Sequence, residues 1–211
     1  MKSINNFLLF LIATSSFLIF SLIQKKELKD LEKKNIIISR SYYPIKGLHY
    51  QRIIQEVKEK NLKSYQKNLV SGGGVKAVFH LLPLNIPQPK NNICQLSKKD
   101  FFWKIKINYT LPQWKSRHLA DQKFKDRWDK YLKRLISHED RHRDIFLKGA
   151  TAIRSYINHI PPYQLRNKSD NCLNYVGQVK QRLLLIFKKY EVKNLFFDLN
   201  SKFGIKNGVL L

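Results

Sequence analysis

The residues best suited to chemistry are two histidines and a glutamate in the stretch His138-Glu139-Asp140-Arg141-His142. Residues four apart on a helix lie on one face, so both imidazoles of this H-E-x-x-H motif can bind one metal ion. Glu139 can take a proton from a water molecule at that ion and pass it to a leaving amine. With six histidines and six glutamates in 211 residues, the motif is expected by chance roughly 0.005 times. The spacing therefore indicates a zinc peptidase site.

A third metal ligand is required, because a catalytic zinc ion normally has three protein ligands and the motif supplies two. No histidine lies six residues beyond His142, which is the metzincin position. His159 lies 17 residues beyond His142 on the same predicted helix, about 25 Å away, and is excluded unless the helix breaks. Two carboxylates in the next predicted helix, Glu191 and Asp198, remain as alternatives.

The reach of these carboxylates depends on how the two long helices pair. If they run antiparallel and the polar loop at 161–171 joins them, residue 172 lies opposite about residue 160. Equal rise per residue then places Glu191 opposite about residue 141 and Asp198 opposite about residue 134. Either carboxylate can then approach the two histidines, and this geometry does not choose between them.

Apolar periodicity predicts the elements that must position the motif. A helical stripe without proline runs over 121–159 and carries the motif on its inward face, and Pro161-Pro162 ends it. A second long helix is predicted over 173–197. Alternating apolar residues predict strands over 75–82 and 101–110. Tyrosine, isoleucine and a pre-proline position predict an extended segment over 41–46. Apolar residues at helical spacing predict a helix over 48–62. Glycine and proline are scarce, so we expect one α+β domain rather than an all-β fold.

The N-terminus carries an apolar stretch over residues 7–23. As a helix it would be about 26 Å long, slightly short of a bilayer's hydrocarbon core. We therefore predict a signal peptide or uncleaved membrane anchor over 1–24, a charged linker over 25–39 and a peptidase domain over 40–211. Export is the expected location, periplasmic or secreted, with possible anchoring to the inner membrane. The lysines at 25, 26 and 29 do not support export, since the positive-inside rule keeps such residues cytoplasmic.

The chain is strongly basic, with 40 Lys and Arg against 15 Asp and Glu and a formal net charge of +25. These charges are spread along the whole sequence rather than gathered into one arm. No zinc-finger spacing, RRM signature or basic zipper is present, so we expect no specific nucleic-acid partner. Charge of this kind favours solubility and non-specific attraction to anionic surfaces.

The two cysteines, Cys94 and Cys172, lie too far apart in sequence to form a C-x-x-C redox motif. In an exported chain, an even count of two predicts one long-range disulfide between them. In a reducing compartment they would instead be two buried thiols. The disulfide prediction is therefore conditional on export.

Taken in order, these features resemble a family of bacterial proteins predicted to be secreted zinc-dependent proteases, catalogued mainly as a domain of unknown function. The resemblance covers about residues 40–208. It rests on short features in a shared order: Tyr43-Pro44-Ile45-Lys46-Gly47, the glycine turn at 72–74, Cys94, Leu111-Pro112-Gln113-Trp114, Trp128, the H-E-x-x-H helix, Cys172 and a closing box that begins at Phe197-Asp198.

The resemblance implies a zincin-like peptidase, with a small mostly antiparallel sheet packed on the long H-E-x-x-H helix and on a second long C-terminal helix. The family's closing box has a Tyr-Asp-x-x-Thr-x-His-Gly pattern, and this chain departs from it by having Phe203 where the box has histidine. If that histidine is a metal ligand in relatives, this chain must use Asp198 or Glu191 or be impaired. Asp198 is preferred because it matches the box.

Three functions are consistent with these features. The first is a metalloendopeptidase acting on a peptide or protein substrate, with His138, His142 and Asp198 binding Zn²⁺ and Glu139 as general base. The strand at 101–110 would present an edge to an extended peptide. The second is a degenerate peptidase that binds an envelope partner without cutting it, as Phe203 suggests. The third is a basic protein held to anionic lipid on the cytoplasmic side.

Overall fold

The computed structural model describes residues 35–62, 72–83, 85–166 and 171–209. The predicted anchor at 7–23 and most of the predicted linker lie outside these ranges. None of the helices within these ranges has the length and apolar character needed to cross a membrane.

Three strands form the main sheet, β1 (Ile36–Ile45), β2 (Gly74–Pro83) and β4 (Phe101–Trp114), in the spatial order β1-β4-β2. β1 runs parallel to β4 and β2 runs antiparallel to it. Two short strands, β3 (Ile93–Cys94) and β5 (Tyr163–Gln164), form a separate antiparallel pair. Two of the three strand pairings in these two small sheets are therefore antiparallel, within an α+β fold.

Three helices accompany the strands: α1 (Tyr50–Leu62), α2 (Gln122–Asn158) and α3 (Leu173–Ser201). α2 begins at Asp121, whose side chain accepts a hydrogen bond from the backbone N–H of Phe124 (2.7 Å). The predicted ranges for the two long helices agree with the structure to within a few residues. α3 is longer than predicted, since it continues from Phe197 to Ser201.

The core lies between the sheet and the long helices. Alternate residues of β4, from Phe101 to Leu111, are buried against the helices. Trp114 at the end of β4 packs against Phe124 and Trp128 near the start of α2, with ring centroids 4.9 and 5.5 Å apart. Gly149 lets α3 approach α2 closely, because a Cβ there would lie 3.0 Å from the ring of Tyr190. These contacts set the position of α2 relative to both neighbours.

The prediction that the strand at 101–110 offers a free edge is wrong, because β4 is the central strand and pairs with β1 and β2. Its alternating pattern indicates one buried face but says nothing about its neighbours. The strand also continues past Pro112 to Trp114. The N–H of Ile105 donates to the carbonyl of Asn35, just before β1, and the N–H of Lys115, just after β4, donates to that of Ile45. The N–H groups of odd-numbered residues in β4 therefore face β1. An N–H at position 112 would face the β2 side of β4, where the pairing with β2 already ends at Thr110. Proline at 112 therefore costs the sheet no hydrogen bond.

The start of β1 changes the predicted boundary between linker and domain. β1 begins at Ile36 and its first residues pair with β4 from Ile105 onward. Residues 36–39 therefore belong to the sheet rather than to the linker predicted over 25–39. The apolar run at 36–38 explains the difference, since these β-branched side chains favour a strand and Ile36 is buried.

Cys94 in β3 and Cys172 at the start of α3 are bonded as a disulfide, with their Cα atoms 5.6 Å apart. This is the pairing that the sequence predicts for an exported chain. Both residues are fully buried. The bond joins the segment before the central strand to the segment that enters α3.

Candidate metal centre

The long helix α2 brings His138, Glu139 and His142 to one face, as the motif spacing predicts. All three side chains are buried, with 2%, 2% and 6% exposure respectively. Burial of three polar side chains in a helix of this composition requires partners, because an unpaired buried polar group costs free energy. The neighbouring helix α3 supplies most of those partners.

Asp198 of α3 meets both histidines. Its Oδ1 atom lies 2.9 Å from Nε2 of His142 and 3.4 Å from Nε2 of His138. The two Nε2 atoms are 3.3 Å apart. Among the described residues, these three side chains form a group whose ligand atoms all lie close enough to hold one metal ion.

Glu191, the other alternative, is exposed on α3 and is not part of this group. The estimate that residue 191 lies opposite residue 141 is wrong by about one helical turn, because Asn194 is the residue that contacts His142. The starting pair was displaced in the same way. Tyr175, rather than residue 172, lies opposite the start of the loop, where its hydroxyl donates to the carbonyl of Pro161.

Two asparagines orient the histidine rings. Oδ1 of Asn194 lies 2.7 Å from Nδ1 of His142, and Oδ1 of Asn207 lies 3.2 Å from Nδ1 of His138. The amide nitrogen of Asn194 donates to the carbonyl of Tyr190 (3.1 Å), so its oxygen faces the ring. An amide oxygen only accepts, which assigns the proton to Nδ1. In the neutral ring, Nε2 then carries the lone pair and directs it toward Asp198. This is the arrangement that metal-binding histidines require.

Glu139 faces the segment that enters β2. A Cβ on Gly73 would lie 3.1 Å from Oε1 of Glu139, so only glycine leaves the carboxylate its full space. The preceding carbonyl, of Gly72, accepts a hydrogen bond from the hydroxyl of Tyr43. Oε2 of Glu139 is buried and has no hydrogen-bond partner. A buried carboxylate oxygen without a partner, beside three converging ligand atoms, indicates a polar group that the chain itself does not supply.

The ionisation of the site follows from burial and from the close contacts. Burial raises the pKa of Glu139 to about 7, against the lowering effect of His142 and His138. Burial alone would raise the pKa of Asp198, but hydrogen bonds to the two histidines leave it below its ordinary value. Burial alone would lower the pKa of His142, but the hydrogen bond to Asp198 leaves it above its ordinary value. The raised pKa of His142 favours a proton on Nε2, facing the carboxylate of Asp198, when no metal ion is bound.

The donor set fits a metal ion. Two imidazole nitrogens and one carboxylate oxygen converge, and nitrogen and oxygen ligands of this kind suit zinc and related divalent ions. The three atoms are all acceptors once Nδ1 of each ring is protonated. A divalent cation is the species that satisfies all three at once, and three protein ligands leave a fourth position open.

The tail after α3 folds back over His138. Lys202 and Phe203 have left-handed backbone angles (φ 49° and 54°), which is unusual for a bulky residue such as phenylalanine. The N–H of Phe203 donates to the carbonyl of Asp198 (2.7 Å) and closes the helix end. Phe203 has no donor atom for a metal, so the histidine of the related closing box has no substitute at this position.

Several site residues were not predicted from the sequence. Asn194 and Asn207 were not singled out. Phe197 was named only as the first residue of the closing box, although its ring lies 4.9 Å from the rings of both histidines. A signal existed for Asn194, because it lies four residues before Asp198 and therefore on the same helix face. Asn207 follows the helix end, in the turn Ile205–Asn207, where periodicity gives no information.

With this geometry, comparison with known proteins places the chain in a family. The chain belongs to the family described as "Bacterial protein of unknown function (DUF922)", which matches residues 40–204. The matched region contains His138, Glu139, His142, Asn194 and Asp198. Neither the curated proteins nor the solved structures include a match to this chain. The family description assigns no activity, so function is argued from the site.

Proposed function

We propose that the chain is a zinc-dependent metalloendopeptidase. In this proposal His138, His142 and Asp198 hold Zn²⁺, and Glu139 is the general base. The observation that carries the proposal is the convergence of two Nε2 atoms and one Oδ1 atom within 3.4 Å of each other. A buried carboxylate lies directly beside them on the same helix.

The spacing of the ligand atoms supports zinc. In a tetrahedral zinc site with bonds of about 2.0 Å, neighbouring ligand atoms are separated by roughly 3.3 Å. The distances from Nε2 of His138 to Nε2 of His142 and to Oδ1 of Asp198 are 3.3 and 3.4 Å. The third distance, 2.9 Å between His142 and Asp198, is that of a hydrogen bond and lengthens when a metal replaces the proton.

The chemistry needs a base that works near neutral pH. Zinc, when bound, acidifies a water molecule and polarises a scissile carbonyl. Glu139 accepts the proton of the attacking water and then donates it to the leaving amine as the peptide bond breaks. A pKa of about 7 in the metal-free chain suits both steps. Asn194 and Asn207 keep the rings oriented throughout.

The substrate is proposed to be an extended segment of a peptide or protein. Since β4 is central, the outer edges of the sheet, as the described residues form it, belong to β1 and β2. β2 is the better candidate, because it follows Gly73 directly and Gly73 lies against Glu139. An extended peptide that pairs with the start of β2 would bring a carbonyl group toward the glutamate.

The proposed location is outside the cytoplasm, with the sequence at 7–23 as a signal peptide or anchor to the inner membrane. The Cys94–Cys172 disulfide supports this proposal, because such bonds persist in oxidising compartments. The alternative is a degenerate peptidase that binds an envelope partner without cutting it. Phe203, in place of the expected histidine, is the observation that favours this alternative.

Substitution of Glu139 tests the catalytic role. Glu139→Gln keeps the size of the side chain and removes the base, so we expect hydrolysis of a mixed fluorogenic peptide library to fall by at least about a hundredfold. Zinc content should be unchanged, since Glu139 is not a ligand. Glu191→Gln is the matched control and should retain activity. Full activity in Glu139→Gln would rule out this mechanism, and an inactive wild type that binds zinc would favour the degenerate peptidase.

A further inference from the structure

Helix α3 has a second apolar face that no described residue covers. Six large apolar side chains on it are between 44% and 59% exposed. They are Leu184, Leu185, Val192, Leu195, Phe196 and Leu199. We call these six residues the outer face of α3. A contiguous apolar patch of this kind on a protein surface marks a site of interaction.

The outer face lies opposite the core. Positions 184, 188, 192, 195 and 199 follow one another at steps of three or four, and therefore form one stripe along the helix. The buried residues of α3, among them Val179, Leu183 and Phe187, form a second stripe. At 100° per residue the two stripes point in nearly opposite directions. A helix that is apolar on both sides is normally covered on both sides.

The charges around the outer face are mainly positive. Lys188 lies within the stripe, and Lys189 and Lys193 lie along one side of it, all three exposed. Glu191 and Asp198 lie along the other side, where α3 meets the metal centre. The chain as a whole has 40 basic and 15 acidic residues. Two copies that each have a net charge of +25 repel, which argues against a second copy as the covering partner.

We propose that the outer face of α3 docks on an anionic phospholipid bilayer. The leucines and Phe196 enter the boundary between headgroups and acyl chains, and the lysine ammonium groups bind lipid phosphates. The long lysine stems allow their charges to stay at the headgroups while the stripe is immersed. A bilayer has an apolar interior and an anionic surface. The leucines of the outer face match the interior, and the lysines in and beside it match the surface.

The proposal goes beyond peptidase activity and does not depend on it. It does determine where the metal centre would act. The outer face and the metal centre lie on different sides of α3, and a helix with its side chains is about 10 Å across. The metal centre would therefore be held within roughly one helix diameter of the membrane surface, close to membrane-bound or newly exported chains.

The test places an indole on the outer face and measures its depth in a bilayer. Phe196→Trp in the full chain is mixed with vesicles containing phosphatidylglycerol whose acyl chains carry bromine near the headgroup. The three native tryptophans are buried, with 6% exposure or less, so the difference from wild type reports on the new side chain. We expect its fluorescence to fall by at least about twofold, as contact with a quencher at a depth of about 5–10 Å requires. Vesicles of phosphatidylcholine alone, brominated at the same position, should quench it much less.

Phe102→Trp is the matched control, since Phe102 is an exposed aromatic residue on the open face of the sheet. It should not be quenched, even if the segment at 7–23 holds the chain on the vesicle. Leu185→Trp repeats the measurement if Phe196→Trp does not fold. Absence of quenching at both outer-face positions would overturn the proposal. A blue shift that depends on protein concentration without vesicles would also overturn it, in favour of a second copy.

Discussion

Asn194 and Asn207 decide which nitrogen atom of each histidine faces Asp198. Both amide oxygens contact Nδ1, at 2.7 and 3.2 Å, so the two Nε2 lone pairs converge on a carboxylate oxygen. Three acceptors cannot satisfy one another, and a proton on Nε2 of His142, which its raised pKa favours, would resolve the conflict when no metal ion is bound. Binding a cation and losing this proton are therefore the same event at this site.

Zinc affinity should consequently rise with pH. The hydrogen bond to Asp198, despite the opposing effect of burial, holds the pKa of His142 above its ordinary value of 6.5. Below the raised pKa the proton must be displaced, and above it the nitrogen is free. Each displaced proton makes affinity increase up to about tenfold per pH unit. Competition titrations with a chelating dye between pH 6 and 8 measure this change. An affinity that is flat over this range would contradict the assigned protonation.

A site residue can be predicted from the sequence when its partners lie close to it in the same helix, and not when they are brought to it by a tertiary contact. His138, Glu139 and His142 are recognisable because all three lie on one helix, at the spacing of the H-E-x-x-H motif. For the third ligand, the sequence left two alternatives, Glu191 and Asp198, since both follow on the next helix. Asn207 acts across a tertiary contact between a turn and a helix, and no local pattern encodes such a contact.

At the scale of elements, the two long helices and the start of β2 assemble the site. α2 carries the motif, α3 brings Asp198 and Asn194, and Gly73 before β2 lies against Glu139. Periodicity predicts the helices well because each has a continuous buried stripe. The central position of β4 and the register of α2 against α3 were mispredicted, because both depend on loop geometry and on distant partners.

Gly73→Ala tests whether this junction positions Glu139, the proposed general base. The new Cβ would lie 2.9 Å from a methyl group of Leu135 and 3.1 Å from Oε1 of Glu139, so the carboxylate must shift. We expect peptide hydrolysis to fall about tenfold to a hundredfold, as misplaced catalytic groups do, while zinc content is retained. Gly177→Ala in α3 is the matched control, since a Cβ there meets nothing within 4 Å. Equal activity of the two variants would argue against this role for Gly73.

At the scale of the whole molecule, the disulfide constrains the fold of the domain and the net charge indicates the kind of surface that it attracts. The Cys94–Cys172 bond spans 78 residues, which include β4 and all of α2. It therefore constrains the segment that contains the metal-binding motif. The charge of +25 and the outer face of α3 favour a position at an anionic surface.

Removal of the disulfide should destabilise the domain. A bond that closes a loop of this length contributes about 2–4 kcal/mol, mainly by restricting the unfolded chain. The double variant Cys94→Ser, Cys172→Ser should lose this amount in urea unfolding, and reductant should lower the stability of wild type but not of the variant. Two free thiols in protein purified without reductant would contradict the disulfide, and would remove its support for export.

Zinc content in matched variants tests the metal centre most directly. Wild type, Asp198→Asn and Glu191→Gln are purified, dialysed against metal-free buffer and measured by elemental mass spectrometry. We predict about one zinc per chain in wild type and in Glu191→Gln, since three protein ligands define the site. Asp198→Asn should lose most of it. A wild type without bound metal, or loss of zinc in Glu191→Gln with retention in Asp198→Asn, would contradict the assignment of His138, His142 and Asp198 as the ligands.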